Sequence, residues 1–140
     1  MAAYQKFQQF VEDLVKKVHD CNADTFKVYL SNAVPSASAD AVKADLAEIA
    51  GGNGYTAGGH DTTNTATETG GTATVAAVDV VITAAGGSIG PFQYVVLYND
   101  TPSSPLDPLI AWWDYGSALT LLDTETFTID FGSNSLFTVA

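Results

Sequence analysis

Two short runs set reactive side chains next to each other. His19-Asp20-Cys21 places an imidazole, a carboxylate and a thiol in sequence, and His60-Asp61 repeats the first two. An imidazole that activates a thiol, itself oriented by a third group, is the arrangement of a cysteine nucleophile. That chemistry needs the groups to converge in space, whereas chain neighbours point in different directions. The first run therefore reads as a helix end, and Cys21 has no flanking base beyond His19 to lower its pKa. Asp100, Asp107 and Asp114 recur every seven residues, a spacing that makes a weak calcium site only if the intervening turns gather the carboxylates. Asp is equally the ordinary residue of turns. The sequence has no HExxH, EF-hand or i, i+4 His pair. The glycine runs at Gly51-Gly52-Asn53-Gly54 and Gly86-Gly87-Ser88-Ile89-Gly90 lack the lysine that follows a phosphate-binding loop, so they read as turns. No catalytic residue, metal site or cofactor is expected.

Charge excludes more. The 140 residues include 16 Asp plus Glu, five Lys and no Arg, and no lysine follows Lys43. The last 97 residues thus carry eleven acids and no permanent positive charge. Nucleic-acid surfaces need clustered cations, and phosphate sites use Arg or Lys as their handle. Nucleic acid is excluded as a partner, and any charged partner is expected to be basic. The single cysteine rules out an internal disulfide. The first twenty residues hold no uninterrupted apolar run and nothing later approaches eighteen apolar residues, so neither a classical secretion signal nor a membrane span is expected.

The elements that position these groups follow from periodicity. At 46% hydrophobic residues, with seven Phe, six Tyr and two Trp, the chain can bury a core in one domain spanning 1–140. Phe7, Phe10, Val11, Leu14, Val15 and Val18 fall on one helical face, which predicts an amphipathic helix over 4–19 with Glu12 to Lys16 and Asp13 to Lys17 pairs on the other. Phe26, Val28 and Leu30 then alternate with polar neighbours as a strand. A short helix is expected within 39–50, and 53–71 reads as a strand fragment near Tyr55 and a long exposed Gly/Thr-rich loop. Strands follow at about 75–83, 92–98, 109–115, 118–121, 125–131 and 136–139, punctuated by Gly, Pro, Asn and Asp. The expected fold is mainly β: an antiparallel, jelly-roll-like β-sandwich over 25–140 behind an N-terminal amphipathic α-helix.

Trp112-Trp113 stands out, because strand neighbours face opposite sides and both indoles cannot enter one core. The parity of Leu109, Ala111, Trp113 and Tyr115 reads as inward, which turns Trp112 outward as an interface anchor. Phe92, Tyr94, Val96 and Tyr98 alternate with the apolar Val95 and Leu97, so that strand reads as buried on both faces.

The blocks FQQFVEDLVKKVHD, NADTFKVYLSNAVPSA, EIAGGNGYTAGG, GGSIGPFQYVVLYND and IAWWDYG span nearly the whole chain. With them the sequence resembles the head cement, or decoration, proteins of tailed bacteriophages, and among these a short-tailed phage's. The resemblance implies a jelly-roll protein without enzymatic activity, made in the host cytoplasm and carried on the outer surface of the capsid. Its implied partners are the major capsid protein and a second copy of itself, as a homodimer bridging capsid subunits. The expected interface residues are Phe7, Phe10, Val11 and Leu14 of the helix stripe, together with Tyr29, Tyr98 and Trp112. Two other functions fit the same composition: a carbohydrate- or receptor-binding jelly roll on the virion, and a tail or neck component.

Overall fold

Strand β7 (Ile89–Asn99) forms the middle of the molecule, because nearly every residue in its second half is apolar. The computed structural model of the chain describes residues 2–140. On either side of β7 lie β2 (Phe26–Ser31) and β8 (Leu109–Leu121). The edges of this five-stranded sheet are closed by β1 (Gln5–Lys6), paired to Trp112 and Ala111 of β8, and by β3 (His60–Asp61), paired to β2. A three-stranded sheet holds β10 (Ser135–Val139), β5 (Thr72–Ala76) and β4 (Thr65–Thr69) in that order, and β6 (Val80–Thr83) pairs with β9 (Thr126–Ile129). All pairings are antiparallel.

The fold is mainly β, as the sequence reads. One face of the central sheet packs Phe26, Val28, Leu30, Phe92, Val95, Leu97, Ile110 and Trp113 against Val75, Ile82, Ile129 and Leu136 from the smaller sheets. The other face carries Tyr29, Tyr94, Val96, Tyr98 and Leu109, and is covered by Phe7 and Leu46. The double burial expected of β7 is what the structure has. Each large apolar side chain so enclosed contributes roughly 1.5–3 kcal/mol.

The cover on the second face is a segment without regular repeats. Its backbone stitches onto the sheet through Ile49 N to Leu30 O (3.0 Å), Lys43 N to Asp107 O (2.9 Å) and Leu109 N to Ala41 O (3.0 Å). The helix expected within 39–50 is only a 3-10 turn at Lys43–Asp45. Likewise the 53–71 loop is shorter than expected, since His60–Asp61 and Thr65–Thr69 are recruited as β3 and β4. The strand expected at 75–83 breaks into β5 and β6, and those at 109–115 and 118–121 join as β8.

The N-terminal helix needs the largest correction. It spans only Gln8–Val15, and Phe7 precedes it in an extended conformation. Phe7 reaches the second face while Phe10 enters the main core, so the segment straddles the sheet edge. With Phe10, the buried inward position is Asp13, whose Oδ1 accepts from Gln9 Nε2 at 3.0 Å. Val11 and Val15 consequently face solvent. Glu12 pairs with Lys16 as the spacing predicts, but Lys17 lies beyond the helix at φ 65°.

Candidate functional site

The sequence-adjacent reactive groups do not form a catalytic centre. His19 is buried and its Nδ1 lies 3.1 Å from Asn99 Nδ2, which also donates to Asp24 at 2.7 Å. Burial lowers the His19 pKa against the pull of Asp13 and Asp24. Cys21 moves the wrong way for a nucleophile: burial, with Asp20 and Asp24 beside it, pushes its thiol up to about 11. Asp20 instead caps its own turn, accepting from Asn22 N and Ala23 N. The seven-residue Asp series is also divided. Asp100 pairs with Lys27 at 2.9 Å, and Asp107 lies close enough that burial first and Asp100 second raise its pKa. Asp114 sits apart on β8, accepting from Gln93 Nε2 at 2.9 Å. Among the described residues no group of three or more His, Cys, Asp or Glu could hold a metal ion.

Two aromatic and acidic assemblies remain, and they differ in kind. The first is closed. Lys43 Nζ lies 4.8 Å from the ring centre of Tyr29 and 5.7 Å from that of Tyr98, and 2.7 Å from Glu48 Oε2. The other carboxylate oxygen accepts from Tyr55 OH at 2.6 Å and from Gly58 N at 2.8 Å. Tyr29 OH donates to Leu46 O at 2.9 Å, and Tyr98 OH donates to Gly58 O. Burial holds all three phenols above their ordinary pKa, so they stay neutral donors. Two glycines let the 53–59 loop approach this closely: a Cβ on Gly59 (φ +85°) would sit 2.2 Å from Val28 O, and one on Gly54 (φ +98°) 2.2 Å from Thr83 O.

The second assembly is open. A cleft of about 430 Å³ between β8 and β9 has Trp113, Phe127, Ile129 and Phe131 in its walls, with Tyr115, Asp114 and Asp130 among its lining residues. Trp113 and Phe131 are 5.9 Å apart between ring centres, as are Tyr115 and Phe127. A large bulge places the rim: the two-residue step from Phe92 to Tyr94 on β7 is matched by five residues on β8, from Leu119 to Asp114. The extra length turns Tyr115 outward at 54% exposure, which corrects its inward parity. A smaller bulge at Ile110 moves Leu109 to the second face, while Ala111 and Trp113 face the main core as expected.

The expected interface residues divide accordingly. Phe7, Phe10, Tyr29 and Tyr98 are buried within the chain, at 0–4% exposure, and as folded they offer no surface to a partner. Leu14 is half-buried against the main core. Trp112 faces away from Trp113, as strand geometry requires, but packs on Phe7 in a tilted pair, 4.6 Å between ring centres. Of the helix stripe only Val11 (48%) and Val15 (84%) present free apolar surface. The cleft was not legible beforehand, since its residues come from Ala2, from Val95 of β7, from β8 and from 127–131, which only tertiary packing brings together. The one sequence signal for it was the aromatic content of 113–115 and 127–131 in a stretch without cations.

Comparison with protein families, with curated proteins and with solved structures found no match to this chain.

Proposed function

We propose that the chain is a structural virion protein, a cement that binds the outside of a mature phage head and bridges neighbouring major capsid protein subunits. On this reading it works as a homodimer, has no enzymatic activity or cofactor, and uses its antiparallel sheets as a jelly-roll-like sandwich fronted by an amphipathic helix. The reading rests on the resemblance in the sequence, and the observation that supports it is where the blocks that carry that resemblance fall. NGYTAGG contains Gly54 and Gly59, the two close approaches that lock the 53–59 loop, and IGPFQYVVLYND is the central strand β7 with its following turn. The resemblance thus rests on residues that determine the framework.

Supporting features are the exposed Val11 and Val15 on the helix and a net charge of −11. Apolar side chains held outward on a rigid element suit docking, and excess negative charge limits aggregation between particles. Many weakly bound copies, each engaging more than one subunit, oppose shell rupture through mass action and avidity.

Copy number per purified virion, measured by quantitative mass spectrometry against the major capsid protein, tests the reading. A simple ratio to capsid subunits is expected. A dozen copies or fewer would make the chain a neck or tail part instead. Val15→Asp is expected to lower head occupancy with little change in thermal stability, and unchanged occupancy would remove the helix from the contact.

A further inference from the structure

We propose that the cleft between β8 and β9 is a receptor for one lysine side chain presented by a basic partner protein. The proposal stands on the cleft and does not depend on which particle or surface carries the lysine.

The chain itself contains the occupied form of such a site. In the closed assembly a lysine ammonium sits over Tyr29 and Tyr98 and against the Glu48 carboxylate. The β8–β9 cleft repeats the ingredients, with Trp113, Tyr115, Phe127 and Phe131 as aromatic surface and Asp114 and Asp130 as carboxylates. Among the described residues that line it, Ala2 at the N-terminal end included, none is basic, and the strands that form its walls belong to the stretch without Lys or Arg after Lys43. Aromatic faces attract a cation through their quadrupole, and more strongly when the site is partly desolvated. A lysine stem is apolar and suits the wall, while its ammonium reaches the wet rim.

The carboxylates are held in place but not neutralised. Asp114 Oδ1 accepts from Gln93 Nε2 at 2.9 Å and Gly116 N at 2.7 Å, and Asp130 Oδ1 accepts from Gly132 N at 2.7 Å. Those bonds orient each group and leave its negative charge available. The volume of about 430 Å³ lies in the range of ligand sites, roughly 300–1,000 Å³. Bulges recur next to functional sites because they re-aim side chains, and the one in β8 sets Asp114 and Tyr115 at the rim. A neutral sugar would also stack on Tyr115 and donate its hydroxyls to the carboxylates, but it leaves their charge in place, whereas a cation balances it.

The test is an NMR titration of the full chain with Nα-acetyl-lysine methylamide, using the uncharged norleucine analogue and methyl glucoside as comparators. Saturable shifts are expected at the Trp113 indole and the 114–116 and 130–132 amides, with affinity on the order of millimolar that weakens as salt rises. Asp114→Asn/Asp130→Asn should weaken binding about fivefold or more, because Asn keeps the acceptors for Gly116 and Gly132 and loses only the charge. Should that variant fold poorly, Tyr115→Ala, at an exposed position, must show the same direction of loss. The proposal is overturned if norleucine binds equally well, if lysine shifts are non-saturating and spread over the acidic surface, if the variants bind normally, or if only the sugar perturbs the cleft.

Discussion

The closed assembly around Lys43 and the open cleft around Trp113 are built from the same materials, aromatic rings and carboxylates, yet serve opposite ends. In the first, every carboxylate oxygen of Glu48 has a partner within the chain, and the phenols spend their hydroxyls on backbone carbonyls and on that carboxylate. Such a set cannot take a ligand without unfolding part of the cover, so it is a clamp. In the second, Asp114 and Asp130 form no salt bridge among the described residues, and no basic side chain lines the cleft. What separates structure from receptor here is whether the chain supplies its own counter-charge.

The comparison breaks most sharply at Gly59, where the clamp meets β2. Gly59→Ala forces a Cβ to 2.2 Å from Val28 O at positive φ and is expected to cost about 3 kcal/mol or more, measured by denaturant unfolding. A loss below about 1 kcal/mol would mean the loop is not pressed against the strand.

Next comes the charge itself. Lys43→Ala leaves Glu48, with its side chain 12% exposed, without its cation. The loss for a fully buried pair is about 3–5 kcal/mol, and the remaining solvent contact reduces it here to about 2 kcal/mol. Adding Glu48→Gln to Lys43→Ala should recover part of that loss; a double variant no better than the single one would show that the stranded carboxylate is not the cause.

Acid titration sharpens the contrast at smaller cost. Burial lowers the pKa of His19 and of His60, with nearby acids pulling the other way. Both are therefore neutral in the fold at a pH where the unfolded chain already binds protons. Their stabilisation is present above the ordinary value of about 6.5 and is lost as pH falls through the folded value, by at most about 1.4 kcal/mol per pH unit for each proton. Thermal unfolding between pH 7.5 and 5.5 should show this slope, and His19→Gln/His60→Gln should flatten it. An unchanged slope would assign the acid sensitivity to other groups. No histidine lines the cleft, so lysine binding there should persist across the same range.

The smallest effect is expected on the open side. Tyr115→Ala removes a ring that is 54% exposed and should shift stability by only about 0.5 kcal/mol, in a calorimetric or denaturant measurement. A cost near that of Lys43→Ala would make Tyr115 part of the core and the cleft a packing defect.

The reading from residue types succeeded where the signal is local. Alternation in 26–30 and 92–98 placed β2 and β7, and the apolar character of both parities in β7 announced that it is covered on two faces. The adjacency of Trp112 and Trp113 required opposite faces, and they take them. Longer-range features were not legible. The stripe from Phe7 to Val18 resembles one helical face, but the sheet edge takes Phe7 to one side and Phe10 to the other, which turns Asp13 inward and Val11 outward. Tyr29 and Tyr98 stand among the expected interface residues, yet a non-repeating segment of the chain itself folds over them.

By itself the sequence determined the one-signed charge of the last 97 residues, the β period, and the faces of β2 and of the second half of β7, where no bulge intervenes. These are properties of composition and of a two-residue repeat. Only the tertiary structure decided which aromatics are enclosed with a lysine and which stand open beside uncompensated acids. That choice depends on register offsets in β8 and on where the 37–49 segment lies. Both are set by contacts between residues far apart in the chain, for which no local period exists.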